Sequence, residues 1–423
     1  QAKKLLWLNC RSRFFYRLRS AQMDSLIFVS KAPESNPPIP CRTGTENRSA
    51  RFTNRRGCGT ITETPLRAAA FCRGAGGVRI LQKKRVVVMY RVTVPEGYAP
   101  SLGLYETQKA IGLIKNVFLV KICAALHLKR VTAPLFVDPA TGLNDDLNGV
   151  ERPVSFDIPA AALNAQVVHS LAKWKRLALH NYGFFVGNGL VADMNAIRRD
   201  EELDNLHSIY VDQWDWEKVI DREMRTTEFL EDTVRRIVSA ICGTLDELKW
   251  QFSGLSTELC RDVFFITAQE LEDRYPDLTP KQRENVIARE HRTVFIEQIG
   301  GALKSGRPHD GRAPDYDDWQ LNGDLLFWHE PLSTALEISS MGIRVDAESL
   351  RSQLITAGCE ARAELPFHKM LLNDELPLTI GGGIGQSRLC MLLLGKVHIG
   401  EVQASLWDEE TRRICAEKGV VLL

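Results

Sequence analysis

The sequence predicts an α/β fold of the α+β type, an antiparallel β-sheet flanked by helices. Three observations carry the prediction. Residues 106–128 and 229–252 repeat apolar side chains at helical spacing over long stretches. The strand-like runs between and beyond them lack the regular βαβα alternation of a parallel doubly wound sheet. Near the C-terminus, Gly381, Gly382, Gly383 and Gly385 crowd together ahead of Arg388 and the apolar run 389–394.

Each element follows from its pattern. In 106–128, Ile111, Ile114, Phe118, Ile122 and Leu126 form a stripe suited to burial. Residues 131–137 read as a strand, which Pro134 confines to a sheet edge or an interface because proline has no backbone donor. Residues 167–169 and 208–213 read as strands, each feeding a charged amphipathic helix. Past the second, a period of two puts Val211, Gln213 and Asp215 on one face and Tyr210, Asp212 and Trp214 on the other. Leu230, Val234, Ile237, Ile241 and Leu245 line one side of the helix 229–252. Residues 282–291 form a shorter helix leading into a strand at 293–299, and 325–328 and 335–345 complete the strands. The clustered glycines read as a loop that lets the backbone pass close under a ligand. The buried helix 389–394 then carries Arg388 toward that ligand, where a guanidinium can fork onto phosphate or stack on a base. There is no internal repeat, and 89–423 reads as a single catalytic domain.

Composition narrows the function. The chain has 423 residues and a net charge of +1, but residues 1–88 hold 18 Lys and Arg against 4 Asp and Glu, and the remainder 36 against 49. An acidic body speaks against nucleic acid, whose phosphates require a basic surface. No run of about 18 apolar residues exists to span a membrane. The ten cysteines form no Cys-x-x-Cys pair, and Cys123, Cys242 and Cys390 fall in apolar helical runs. Buried reduced thiols, with no structural zinc and no catalytic cysteine, are the expectation. The basic extension 1–88 is expected to be disordered and without catalytic residues. It is a dispensable tail, a translated upstream stretch ahead of Met89, or a mitochondrial transit segment; the body is expected in the cytoplasm unless the last holds.

Five segments then combine: Asn144-Asp-Asp-Leu-Asn-Gly149, Val168-His-Ser-Leu-Ala-Lys-Trp-Lys-Arg176, His207-Ser-Ile-Tyr-Val-Asp-Gln-Trp-Asp-Trp-Glu217, Ala335-Leu-Glu-Ile-Ser-Ser-Met-Gly-Ile-Arg-Val-Asp346 and the glycine run. With Arg312-Ala-Pro-Asp-Tyr-Asp-Asp-Trp319, this ordered set over residues 90–423 resembles the ammonia-dependent asparagine synthetases, single-domain relatives of class II aminoacyl-tRNA synthetases. The resemblance implies a class II synthetase-like core and a homodimer built on the 106–137 unit. It also implies a ligase that makes L-asparagine from L-aspartate, ammonia and ATP. A β-aspartyl-AMP intermediate would form, with release of AMP and pyrophosphate and use of Mg²⁺. Free ammonia is the expected donor, since nothing resembling a glutaminase domain follows Gln1.

The resemblance also implies roles. Arg198 falls where the family carries its motif 2 arginine, on the α-phosphate, with Asp200 near the adenine. Arg388 is the motif 3 arginine, expected on the terminal phosphates and adenine face over Gly383 and Gly385, and Asp317 lies near the nucleotide. Asp324 and Glu337 are the carboxylates for Mg²⁺, which takes one or two together with substrate phosphates. Glu337 sits among strand apolars, where a carboxylate is seldom buried without a partner. Ser339 shares its strand face by alternation, and Arg344 follows. Asp145, or Asp146 in the adjacent register, meets the substrate ammonium, and this segment departs from the commonest family pattern. Lys175 meets the substrate carboxylate, with Lys173 and Arg176 solvated, and Gln213 completes the amino-acid site. Asp215 either orders the incoming ammonium and takes its proton or forms a structural salt bridge. His169 and His207 read as structural hydrogen-bonders. Competing readings are an aspartyl- or asparaginyl-tRNA synthetase, which would need an anticodon-binding domain, and a silent nucleotide-binding paralogue, which would have no need of Arg198, Glu337 and Arg388 together.

Overall fold

The computed structural model describes residues 92–144 and 151–423. The extension 1–88, Asp145 and Asp146 lie outside the described residues. In chain order the elements are α1 (Leu104–Leu126), β1 (Leu128–Arg130), β2 (Phe136–Val137), β3 (Ser155–Ile158), β4 (Leu163–Val167), α2 (Ala172–Asn181), β5 (Gly189–Ile197) and β6 (Tyr210–Val219). They continue with α3 (Thr227–Gln251), β7 (Phe264–Thr267), α4 (Ala268–Arg274), α5 (Pro280–His291), β8 (Thr293–Glu297), β9 (Asp317–His329) and β10 (Thr334–Arg344). The last are α6 (Ala347–Thr356), α7 (Pro366–Leu372), β11 (Thr379–Gly385), α8 (Gln386–Leu394) and α9 (Glu409–Glu417).

Eight of the described strands form one sheet in the order β1-β5-β6-β11-β10-β9-β8-β7. Its interior is antiparallel, and only the edge pairs β1–β5 and β7–β8 are parallel. Helices α1 and α3 cover one face. Ile114, Phe118, Ile122 and Leu126 of α1 are buried with Ala110 and Thr107, whereas Ile111 is half-buried. His127 adopts a left-handed φ of 60° and stops the helix. The Thr226 side chain starts α3 by accepting from the Phe229 N–H, satisfying one of its orphan donors. Trp214 and Trp216 of β6 enter this apolar layer, Trp214 with its ring centroid 4.7 Å from that of Phe118. Burial of each such side chain stabilises by about 1.5–3 kcal/mol.

The structure departs from the expected elements at six places. Residues 131–137 are not one strand. The Val131 N–H still reaches the Val191 carbonyl at 2.9 Å, but the chain then turns away and Phe136–Val137 joins a separate sheet, β2-β4-β3. Pro134, with no donor, sits in the break. The strand near 167–169 ends at Val167, and the His169 N–H instead donates to Asn144 Oδ1 at 3.0 Å. The 208–213 run feeds no helix; Trp214 and Trp216 alternating with Asp215 and Glu217 extend it as strand to Val219. Residues 325–328 belong to the much longer β9, which takes in Asp317 and Asp318. The glycines 381–385 are not a loop but strand β11, in the middle of the sheet between β6 and β10. Lys173 and Arg176 are buried, not solvated. Lys173 pairs with Asp315 at 3.1 Å, and Arg176 donates to the Pro377 and Val345 carbonyls at 2.9 and 2.6 Å.

One buried group sets a pH dependence away from the cavity. Glu297, at the end of β8, is 7% exposed, and its Oε1 has no partner among the described residues. Burial, then the nearby Glu231 and Glu270, raise its carboxyl to about 7 against the opposing pull of Arg235. The folded chain therefore holds this proton more tightly than the unfolded chain, and stability falls as pH rises from the ordinary carboxylate range through about 7. Replacing Glu297 by Gln should raise the thermal midpoint at pH 8 and leave it nearly unchanged at pH 5. Equal shifts at both pH values would remove this assignment.

Candidate active site

The sheet face opposite α1 and α3 carries charge rather than hydrocarbon and lines a cavity of about 440 Å³. Its floor is an ion-pair layer. Arg344 of β10 donates through Nε and Nη2 to the Glu217 carboxylate on β6, at 2.8–3.1 Å, and through Nη1 to Asp317 on β9. Thr379 Oγ1 adds a bond to Glu217 at 2.7 Å. From α2, Lys175 Nζ pairs with Asp215 Oδ1, donates to the Gly382 carbonyl at 3.0 Å and lies 3.9 Å from Glu217.

Glycine makes this layer possible. A Cβ on Gly381 would stand 2.0 Å from Glu217 Oε2 and 2.7 Å from Arg344 Nη2, and one on Gly383 would stand 2.3 Å from Gln213 Oε1. These glycines therefore leave room for neighbouring side chains of the protein, beyond any ligand above them. Burial pulls the Lys175 ammonium below its ordinary range, with Asp215 only partly offsetting it. Burial would raise Glu217, but Arg344 and Lys175 outweigh it and hold the carboxylate ionised.

The other end of the cavity is built from loop and strand ends. Arg198 follows β5, its N–H bonded to the Ile209 carbonyl at 2.9 Å, and its Nε has no partner among the described residues. Arg388, in the first turn of α8, donates to the Glu337 carbonyl at 3.2 Å and stands 3.6 Å from Glu337 Oε2. Arg312 donates to Asp324 Oδ1 at 2.6 Å and to Ser340 Oγ. Burial, with Arg312 opposing and Glu337 adding, raises the Asp324 carboxyl to about 6. Asp200 lies at the rim and is gripped by Arg152.

The cavity thus gathers Arg198, Asp200, Lys175, Gln213, Asp215, Asp317, Asp324, Glu337, Arg344, Gly383, Gly385 and Arg388 along its wall. His207 also lines it, its Nδ1 bonded to Asp204 at 2.9 Å, whereas His169 lies outside. Ser339 is not brought in. A β-bulge between Glu337 and Ser339 breaks the alternation, so Ser339 is buried off the cavity and Ser340 lines it. Asp145 lies outside the described residues. Sequence reasoning missed Arg312, Ser340 and Glu217. Glu217 continues the Gln213, Asp215 alternation and was open to that reading. A bulge leaves no such signal.

Gly381→Ala should force Glu217 and Arg344 apart. We expect a loss of about 1–3 kcal/mol in unfolding free energy, as for other overpacked sites, measured by urea denaturation. An unchanged midpoint would mean that the layer can shift without cost.

Comparison with known proteins gives a consistent picture. Residues 105–419 match the family described as AsnA, aspartate-ammonia ligase. The aspartate–ammonia ligase of Clostridium perfringens is 59% identical over 336 residues, covering 79% of this chain and 100% of that one. That of Lactobacillus acidophilus is 59% identical over 335 residues, with coverage of 79% and 100%. Among solved structures, the asparaginyl-tRNA synthetase of Pyrococcus horikoshii, complexed with asparaginyl-adenylate, aligns with a TM-score of 0.53 at 17% identity over 72% of this chain and 70% of that chain, a likeness of fold alone. Among the described residues no helix is long and apolar enough to cross a membrane.

Proposed function

The chain belongs to the aspartate–ammonia ligase family, and from that premise we propose how its cavity makes L-asparagine from L-aspartate, ammonia and ATP. The observation that carries the reading is the division of one cavity. Arg198, just past the Ile197–Tyr210 pair, and Arg388, just past the Gly385–Gln213 pair, lie toward one end of the sheet, and the buried Lys175–Asp215 pair lies farther in, level with Gly383. A carboxylate is a poor acylating agent, so it must first gain a leaving group. The β-carboxylate oxygen of aspartate attacks the α-phosphorus of ATP, pyrophosphate leaves, and β-aspartyl-AMP forms. Ammonia then attacks the β-carbonyl carbon, the C–O bond to AMP breaks, and the nitrogen gives up a proton.

Arg198 offsets the charge that develops on the α-phosphate, and Arg388 meets the terminal phosphates and the base, over Gly383 and Gly385. Asp200 and Asp317 support the nucleotide from the rim and the floor. Asp145, or Asp146 in the adjacent register, holds the substrate ammonium. Lys175, Gln213 and Arg344 define the amino-acid site, and the chemistry depends mainly on alignment of the reactants. Asp215 keeps Oδ1 on Lys175, and its Oδ2 has no partner among the described residues. That oxygen is the group to order ammonium and take its proton.

Asp324 and Glu337 suit Mg²⁺. Two carboxylates share one wall, and burial, with the Glu337 charge adding to it, already raises Asp324. A hard cation taking one or two carboxylates together with phosphate oxygens would relieve the repulsion between the two side chains. Bound there, Mg²⁺ supplies charge neutralisation of the phosphates. We take the enzyme to act as a homodimer in the cytoplasm, with one site per subunit.

The test is incubation with ATP, Mg²⁺, L-aspartate and an ammonium salt, beside a parallel reaction with glutamine. Asparagine and AMP should appear in equal amounts with ammonium and scarcely with glutamine. AMP without asparagine would redirect the activated carboxylate to another acceptor. Arg388→Ala should abolish AMP formation while the circular dichroism spectrum stays unchanged. Normal turnover in that variant would remove the role given to Arg388.

A further inference from the structure

Gln403 lies just beyond the short 3₁₀ turn Ile399–Glu401 that follows α8, is 4% exposed, and lines the cavity. Its Nε2 donates to Asp212 Oδ1 at 3.3 Å and to Ser387 Oγ at 3.0 Å. A carboxylate can only accept, so the amide nitrogen must face Asp212 and the orientation of the carboxamide is fixed. Asp212 is itself held, by Lys115 Nζ at 3.2 Å and by the Ser387 N–H at 3.0 Å. What remains is Gln403 Oε1, an acceptor with no partner among the described residues. An acceptor buried without a donor is unfavourable, and a bound ligand can supply the missing donor.

The surroundings say which part of a ligand. Near Gln403 this wall includes Ile399, Leu206, Ser208 and Ser387, together with His207, whose Nδ1 is bonded to Asp204. The charge of Asp212 is matched by Lys115, and the Ser208 hydroxyl is bonded to Ser405 at 2.8 Å. Such a wall suits a flat neutral ring better than a phosphate, and Arg388 is the next residue after Ser387. We propose that Gln403 is a specificity-determining residue that accepts a hydrogen bond from the 6-amino group of the ATP base. A base with oxygen at that position would set acceptor against acceptor. Sites that bond a substrate donor reject the analogue lacking it because their own group is left unpaired.

This inference rests on the proposed ligase reading, and the experiment separates the two. Asparagine formation is measured with ATP, inosine triphosphate and purine riboside triphosphate, which has no group at that carbon. Wild-type enzyme should favour ATP over inosine triphosphate in kcat/KM by about two orders of magnitude and over purine riboside triphosphate by about tenfold. Gln403→Met, or Gln403→Leu should the first not fold, should lose about tenfold with ATP and be nearly indifferent between ATP and purine riboside triphosphate. KM for aspartate and for ammonium should stay unchanged. An equal loss with all three nucleotides would make Gln403 merely structural and overturn the proposal. So would wild-type enzyme that uses ATP and purine riboside triphosphate alike, a result that needs no variant and leaves the ligase reading standing. No asparagine from wild-type enzyme with any nucleotide would overturn that reading, and the inference with it.

Discussion

The contact on which the rest of this site depends is the Arg344 guanidinium held between Glu217 and Asp317. It ties β10 to β6 and β9, and it does so across β11, which lies between β10 and β6. A side chain on Gly381 would block that span, so the composition of one strand is dictated by an ion pair formed between its neighbours. Buried ion pairs give little net stability, since desolvation offsets their attraction, but stranding one partner costs about 3–5 kcal/mol. The layer therefore acts chiefly as a geometric constraint. It fixes the relative heights of three strands whose outward residues form the cavity floor.

A second constraint fixes the helix that carries Arg388. Gly385 caps α8 with no side chain of its own. The missing acceptor comes from elsewhere, because Asp212 on β6 accepts the Ser387 N–H at 3.0 Å. Gln386 reaches back to Asp193 of β5 at 2.9 Å and to the Gln213 carbonyl at 3.2 Å. A negative group at the start of a helix also offsets its dipole. Any attraction for anions at this helix start is thereby weakened, and the positive charge offered to a ligand rests on the Arg388 side chain.

Much of this was legible in the residues. The stripes of α1 and α3 follow from helical spacing, and the alternation in β6 put Trp214 on the face opposite Gln213 and Asp215, although Tyr210 and Asp212, from the Trp214 side, reach the cavity too. The glycines of β11 were misread because a glycine run is locally a poor strand. Only its two partners, with their long hydrogen-bonded registers, make it one. Lys173 and Arg176 looked solvated because a helix sequence does not reveal that Asp315 and the carbonyls of Pro377 and Val345 will close over it. Ser339 and Ser340 exchanged places through a bulge, where a one-residue slip reverses every face that follows. The errors share one cause. In each, partners distant in sequence decided a conformation that local pattern left open.

The distribution of paired and unpaired charge then limits what can bind where. On the floor, Lys175 and Arg344 already face Asp215, Glu217 and Asp317, so an anion arriving there meets cations whose charge is largely matched. At the other end Arg198 leaves Nε without a partner among the described residues, and Arg388 stands 3.6 Å from a Glu337 carboxylate that is itself partly exposed. The attraction for a polyanion is therefore concentrated at that end. Fields in a low-dielectric cleft act over its whole length, so the asymmetry orients a substrate bearing several phosphates before any close contact forms. An amino acid with one ammonium and two carboxylates carries a single net negative charge and is steered far less. It can be held at the floor only by replacing hydrogen bonds one for one, and the prebuilt lattice of donors and acceptors there suits that exchange.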